Sequence, residues 1–243
     1  PIPCTAHSYP ANIQQSRNVP DTKNPEVKIL EIRMENMKDY RETENVVREA
    51  FWNVYSPGCS EHYLLHQMRD CAAYIPELNL VAEDNGKIIG QVITVKAHIK
   101  GDNQTRYTVL SLGPIAVLPQ YQKTGVGAKL IAKTKETARN LGYRAILLCG
   151  NPAYYSKQGF EAAEKYGIRN SENMFMDALQ VYGLYEGALE DLAGKYYEDS
   201  IYEIEENAVK EFDKAFVPKT PLSDTPSQRQ FLEIASRCRP YTK

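Results

Sequence analysis

Residues 108–141 read TVLSLGPIAVLPQYQKTGVGAKLIAKTKETARNL, and the fold turns on this stretch. It opens as an apolar, β-branched run of strand length, breaks at Pro119, and resumes as a helix after Gly125 and Gly127. Between them Gln122-Lys123-Thr124-Gly125-Val126-Gly127 forms a loop whose glycines accept backbone conformations closed to other residues and let a ligand come close. The loop amides and the first unpaired N–H groups of the helix face outward at the positive end of the helix dipole, which suits a phosphate or pyrophosphate. The loop is not GxxxxGK[ST], because no Lys-Ser or Lys-Thr pair follows the second glycine. Nor is it GxGxxG, because Gly127 is followed by Ala128-Lys129-Leu130. Two glycines opening a helix also mark an ordinary strand-turn-helix connection, so the loop alone does not decide the function.

A second element narrows it. Gln122-x-x-Gly125-x-Gly127, after the strand Gly113-Pro-Ile-Ala-Val-Leu-Pro119, resembles the acyl-coenzyme A signature Q/R-x-x-G-x-G/A of the GNAT N-acetyltransferase superfamily. Tyr154-Tyr155-Ser156-Lys157-Gln158-Gly159-Phe160 resembles that family's aromatic-Tyr-x-Lys-x-Gly-Phe element, which follows its fifth strand. The resemblance is strongest from about Val27 to Val181, and within the superfamily it is closest to a bacterial subfamily of N-acetyltransferases whose substrates are mostly unassigned. It implies an α/β fold with a mixed, mostly antiparallel central sheet flanked by helices, and acetyl-CoA as co-substrate.

Composition agrees with such a domain. With 42% hydrophobic and 25% charged residues the chain reads as globular, and a net charge of −2 gives no global pull towards nucleic acid or anionic membrane. Five cysteines stand singly with no C-x-x-C pair, so neither a disulfide framework nor a cysteine zinc site is written here, and a cytoplasmic location is expected. No run reaches the roughly 18 apolar residues of a membrane span, and a secretory leader is not expected.

Taken in order, residues 1–27 hold five prolines among polar residues and read as an extended arm. The transferase domain is expected over 28–181 and a C-terminal helical extension, packing on it, over 182–243. Val27 to Met34 alternates as a first strand, and Met37 to Asn53 has helical spacing, with Trp52 expected as a core anchor. A second helix is predicted from Ser60 to Cys71. Leu78–Glu83 and Ile88–Lys96 form a hairpin around Asp84-Asn85-Gly86, and Thr105–Leu112 follows as a strand. Arg144–Cys149 reads as a buried strand, a helix opens at Pro152, and a last strand is predicted over Met174–Val181. Of the two tyrosines on that helix, Tyr154 reads as a core aromatic and Tyr155 as functional.

His62 and His66 share a helix face, but H-E-x-x-H is absent and no third ligand stands nearby, so no metal is expected. Glu61, beside a helix N-terminus, is a dipole-stabilising acid and also a candidate general base, with Glu83 as its competitor. Beyond Tyr182, helices are predicted over Glu205–Phe216 and Ser227–Arg237, whose apolar faces must bury against the domain or a partner subunit. Glu186, Glu190, Asp191, Glu198, Asp199, Glu203, Glu205 and Glu206 make the first part of this tail acidic, either a solvated face or a means of steering a cationic amine.

Acetyl transfer from a thioester to an amine sets the remaining requirements. A Lys-like amine of pKa about 10.4 is neutral to roughly one part in a few thousand at pH 7, so a base is useful. The tetrahedral intermediate needs a donor to its oxyanion, and the leaving thiolate needs a proton. By resemblance, the backbone of Ile115, Ala116 and Val117 holds the pantetheine arm, residues Gln122, Lys123, Thr124, Gly125, Val126 and Gly127 hold the pyrophosphate, and Asn151 contacts coenzyme. The Val117 N–H is the oxyanion candidate and Tyr155 the general acid. The expected function is transfer of acetyl from acetyl-CoA to a primary amine of a small molecule or peptide, by a monomer or homodimer without nucleic-acid or membrane partners. A non-catalytic acyl-CoA sensor is the alternative.

Overall fold

The computed structural model describes residues 30–242, so the arm expected over 1–27 lies outside the described residues. Strand β1 (Leu30–Met34) leads into helices α1 (Tyr40–Phe51) and α2 (Glu61–Met68), then strands β2 (Asn79–Asp84), β3 (Lys87–Gly101) and β4 (Arg106–Val117). Helix α3 (Val126–Asn140) and strand β5 (Ala145–Cys149) follow, then α4 (Pro152–Tyr155), β6 (Glu161–Ala162), β7 (Ile168–Arg169), β8 (Met174–Met176), β9 (Leu179–Gly183) and β10 (Gly194–Tyr197). Helices α5 (Glu206–Asp213) and α6 (Pro226–Ser236) and strand β11 (Cys238–Pro240) complete the described chain.

The main path of the sheet runs β1-β2-β3-β4-β5-β9-β6, antiparallel along it except for β4 and β5, and the side pair β10–β7 is also parallel. The β2–β3 turn has both Asn85 (φ 52°) and Gly86 (φ 76°) in the left-handed region, as a tight hairpin whose twist matches its strands requires. Helix α3 turns Val126, Leu130, Ile131 and Ala138 into the core, where Val126 and Leu130 close over Gly90 of β3.

Two features of β4 create the site. Val92 pairs with Ile115 but Thr94 with Leu112, so Gly113 and Pro114 together oppose Ile93 as a bulge. On its other side β4 pairs in parallel with β5 only at Leu110–Ile146 and Ser111–Leu147, and beyond Ser111 the two strands part. The register settles where the backbone groups point after the bulge. The Leu118 N–H bonds to Ile89 O (2.9 Å), so the intervening Val117–Gly90 pair is not hydrogen-bonded, and the polar groups of Val117 face away from β3. The Val117 carbonyl is accordingly taken by Gln122 Nε2 at 3.1 Å.

The first two helices are held by a buried ionic cluster. Arg69 reaches Glu35 (2.8 Å) and Glu44 (2.7 Å) and also contacts Thr43, so both carboxylates and the guanidinium are satisfied away from water. Removing one partner of such a set costs about 3–5 kcal/mol, because a charge is left buried and alone.

The structure departs from expectation in three ways. The predicted strand over 174–181 is two strands: β8 pairs with β11 in a separate two-stranded sheet, and β9 pairs with β5. The predicted boundary at 181 therefore falls inside β9. The part after 182 is not helical alone either, since β10 enters the main sheet against β3 and carries β7 beside it. Finally, Trp52 is half-buried rather than a core anchor. Its ring lies 4.3 Å from the Arg48 guanidinium and its Nε1 donates to Thr220 O, so it packs under the incoming C-terminal segment.

That segment is fastened to the end of α1. Buried Arg48 makes paired bonds to Asp213 (2.6 and 3.0 Å) and a third to Val217 O. Asn53 O accepts from Thr225 Oγ1 and Gln228 Nε2, while Thr225 and Gln228 close the capping box that starts α6.

Candidate active site

Where β4 and β5 diverge, two cavities meet. The first, about 420 Å³, runs along Ile115 and Val117 to the loop after β4 and is lined by Gln122, Lys123, Gly125, Gly127, Ala128, Tyr154 and Gln158. Lys123 (φ 63°) and Gly125 (φ 91°) both take left-handed conformations to bring the loop into α3. The helix starts without a side-chain cap, and the Lys129 N–H is bonded to Gly125 O. The amides ahead of Lys129 have no intrahelical acceptor, so they are available to an anionic ligand at the positive helix end. A Cβ at Gly127 would stand 2.8 Å from the hydroxyl of half-exposed Tyr154, so a side chain there displaces that ring and enters the groove.

The second cavity, about 530 Å³, lies on the other side of Ile115 and Tyr155, which line both. Its walls come from Phe51 at the end of α1, Val54 and Tyr55 in the turn after it, Glu61 and Leu64 of α2, the β4 bulge, the end of β5, Glu198 and Tyr202, and one face of α6. That face is Ser227, Gln230, Phe231 and Ile234, spaced i, i+3, i+4 and i+7. Tyr202 donates to Gly113 O and meets Ser111 Oγ, each at 3.0 Å, which pins the segment after β10 to the bulge.

Tyr155 is positioned by local sequence. Asn151 caps α4 by accepting from the Ala153 N–H (2.9 Å), and the Tyr155 N–H returns to Asn151 O (3.2 Å). The ring then lies across Gly150, where a Cβ would meet Tyr155 Cε2 at 2.3 Å, and packs edge-on against Tyr154 and Phe160. Burial, with the neighbouring phenols of Tyr55 and Tyr154, pushes the Tyr155 hydroxyl well above its ordinary value, so it keeps its proton at neutral pH.

Glu61 accepts from the Ser60 N–H (2.9 Å), which serves the helix start, and burial still raises its carboxyl above the ordinary range. Its charge also acts on Tyr55, and Tyr55 on Tyr155, so the three share one electrostatic neighbourhood. Glu198 is likewise raised by burial, with Ser111 opposing the shift as a hydrogen-bond donor. Cys149 touches the chamber, yet surrounding protein and then Glu198 push its thiol up to about 12.

Most sequence-predicted residues converge on these cavities, with exceptions that have clear causes. Ile115, Val117, Gln122, Lys123, Gly125, Gly127 and Tyr155 line the groove, whereas Ala116 and Val126 point their side chains into the core and offer only backbone. Thr124 closes the loop on Tyr121 O (2.6 Å). Asn151 stands in the second cavity, with its carbonyl oxygen engaged in the cap. Tyr154, read as a core aromatic, is instead 41% exposed and lines the groove, because α4 is a single turn that turns the ring outward. Glu83 is not a competing base: it pairs with Arg33 (2.8 Å) and lines neither cavity. His62 and His66 go to different neighbours, Cys59 and Glu44, and no group of three metal-ligating side chains occurs among the described residues. Sequence reasoning missed Tyr55, Ser111, Tyr202 and the α6 face, and read Glu198 only as one acid in a run of eight.

Comparison with known proteins gives this geometry a context. Residues 44–160 match the profile of the acetyltransferase (GNAT) family. The chain is 30% identical over 142 residues to YhbS of Escherichia coli K12, an uncharacterized N-acetyltransferase, covering 57% of this chain and 82% of YhbS. A second uncharacterized N-acetyltransferase from the same strain, YjhQ, is 36% identical over 86 residues, covering 35% of this chain and about half, 47%, of YjhQ. Among solved structures, the E. coli YhbS complex with CoA superposes with a TM-score of 0.66 at 26% identity, covering 74% of this chain and 95% of that one. A GNAT acetyltransferase from Brucella melitensis in complex with acetyl-CoA gives 0.59 at 26% identity, covering 72% and 99%. No helix among the described residues is long and apolar enough to cross a membrane.

Proposed function

The chain belongs to the GNAT acetyltransferase family, and on that premise we propose that it moves an acetyl group from acetyl-CoA to a primary amine by direct attack in a ternary complex. The observation that carries this reading is the junction: Tyr155 and Ile115 line both the groove beside the glycine loop and the separate chamber, so two substrates meet at one phenol. The CoA and acetyl-CoA bound by the two structural relatives support the assignment of the groove to coenzyme.

In this reading the loop amides from Gly125 to Ala128 hold the pyrophosphate, and the backbone of Ile115 to Val117 holds the pantetheine arm. The thioester carbonyl then lies against the Val117 N–H, which the β4 register leaves unpaired with β3 and which stabilises the oxyanion. Glu61, its carboxyl raised by burial, is a stronger base than an ordinary carboxylate and takes the ammonium proton, directly or through water. The free amine attacks the carbonyl carbon, the C–S bond breaks as the intermediate collapses, and the sulfur receives its proton from Tyr155. Proximity of two bound substrates supplies much of the acceleration. Direct transfer needs no nucleophile from the protein, because the groove and the chamber already bring thioester and amine together at Tyr155 and Ile115.

The test is calorimetric titration with acetyl-CoA and CoA, followed by thiol release against a panel of amines. Binding with amine-dependent release supports the transferase. Binding with no release from any amine turns the reading towards a sensor, and no binding removes its foundation.

A further inference from the structure

The chamber's walls carry an unusual division of labour. Its apolar side is built from elements far apart in the chain: Phe51 from the end of α1 and Tyr55 from the turn after it, Leu64 from α2, and Phe231 and Ile234 from α6. Three of these rings form a ladder, with Phe51 and Tyr55 centroids 5.6 Å apart and Tyr55 and Phe231 4.6 Å apart. Tyr55 and Phe231 remain 41% and 40% exposed, so the ladder ends on open ring surface rather than in a closed core. The charged side is two carboxyls, Glu61 and Glu198, and among the described residues no Lys, Arg or His lines the chamber.

Each property excludes a class of acceptor. Two carboxyls without a counter-charge in a partly desolvated cavity gain from an arriving ammonium and repel a carboxylate, which disfavours free α-amino acids. Ser111, Asn151, Ser227 and Gln230 also line the chamber, but a hydroxyl or second ammonium group set against the Phe51, Tyr55 and Phe231 rings loses its water partners, at a cost for each group, whereas an apolar body gains from the same surface. A volume of about 530 Å³ falls in the range of small-molecule sites. We propose that the acceptor is a small primary amine carried on an apolar, ring-sized body, its ammonium held by Glu198 and Glu61 and its body by the Tyr55–Phe231 wall. This deepens the transferase reading and rests on it. The C-terminal helix α6 is thereby a specificity element, and Glu198 a substrate-positioning residue near the point where β4 and β5 part.

The experiment uses the full chain. Acetyl-CoA affinity is measured first, then binding of each amine to the CoA-loaded protein, then thiol release. The probes are phenethylamine, its carboxylated twin phenylalanine, spermidine and glucosamine. Phenethylamine is expected to bind the CoA complex and to be acetylated with kcat/KM at least about tenfold above the others. Phe231→Ala and Glu198→Gln are each expected to raise its KM by about tenfold, with a smaller change in kcat and with acetyl-CoA affinity at the wild-type value, which also reports that the variants fold. Faster turnover of spermidine, glucosamine or phenylalanine overturns the acceptor class while leaving the transferase standing. Failure of phenethylamine to bind the CoA complex does the same. If Phe231→Ala instead changes selectivity between acetyl- and hexanoyl-CoA and leaves the amine KM alone, the wall belongs to the acyl group and the proposal is wrong. Absence of acetyl-CoA binding removes the transferase reading, and this one with it.

Discussion

The coenzyme groove and the amine chamber share Tyr155 and Ile115 but are made in opposite ways. The groove is largely backbone: a strand whose register frees its polar groups, a loop with two left-handed residues, and a helix start. Apart from its wall on α4 and the turn after it, its parts lie within residues 115–128. The chamber is side chains gathered from α1, α2, β4, β5, the segment after β10, and α6. A groove that presents amides tolerates many side chains so long as the backbone keeps its path. A chamber that presents rings and carboxyls changes its preference with each substitution.

If that contrast is right, substitutions should separate the two regions. The largest effect is expected at the shared residue: Tyr155→Phe should lower kcat by about 10²–10³-fold, the scale of a lost general acid, while acetyl-CoA affinity by calorimetry changes less than about threefold. Equal losses in kcat and affinity would mean that Tyr155 belongs to the groove alone. Next comes Glu61→Gln, expected to lower kcat/KM for the amine by about 10–10²-fold. Because burial raises the Glu61 carboxyl, the wild-type rate should climb with pH through a limb lying above the ordinary carboxylate range, as the base loses its proton. The variant should lack that limb, and a limb that persists in Glu61→Gln transfers the role to another group. Gly127→Val should weaken acetyl-CoA binding by at least about tenfold, because the new side chain meets the Tyr154 hydroxyl and fills the groove. Amine KM extrapolated to saturating coenzyme should be spared.

How legible each region was follows from the same contrast. Gln122, Gly125 and Gly127 announce themselves because glycines and the residues around a helix start carry conformational meaning at fixed spacing. Tyr155 was singled out through the resemblance of its segment to the family's aromatic element, and Asn151-Pro152 opening its one-turn helix and Gly159 (φ 78°) ending the turn that follows are what fix its place. The chamber has no such spacing. Tyr55 and Phe231 meet only after the segment beyond β10 has packed against the end of α1, and nothing in FWNVYS or RQFLEI predicts the meeting. Glu198 was hidden among neighbouring acids, and its distinction, a place beside Ser111, exists only in the folded chain. Trp52 was misread because an apolar residue ending an amphipathic helix is usually covered by the core, whereas here the cover is the distant Thr220 segment.

The smallest expected effect tests the fastening between the chamber's two sources. His62 is fully buried between Cys59 and Asp213. Its Nε2 lies 3.1 Å from Asp213 Oδ1 without the alignment of a hydrogen bond, so burial outweighs that attraction and lowers the imidazole to about 4. Arg48 and Glu44 also act on this site, Arg48 disfavouring and Glu44 favouring the charged imidazole. In the unfolded chain the same group takes a proton near 6.5, so between pH 6.5 and 4 the unfolded state binds more protons and stability falls as pH falls. The loss should reach about 1–2 kcal/mol at pH 5, a melting-temperature drop of a few degrees measured by calorimetric scan. His62→Gln should flatten this dependence, and an unchanged slope would shift the cause to other groups.

The insertion of β10 has a further consequence. Residues 98–101 of β3 lie beyond the reach of β2, and β10 occupies that row of backbone donors and acceptors. A chain ended after β9 would expose the row as an open strand edge beside buried Ile99, a template for pairing with another molecule. The C-terminal segment is therefore also a guard against aggregation. Shortened versions of this protein should be expected to associate before they can be judged for activity.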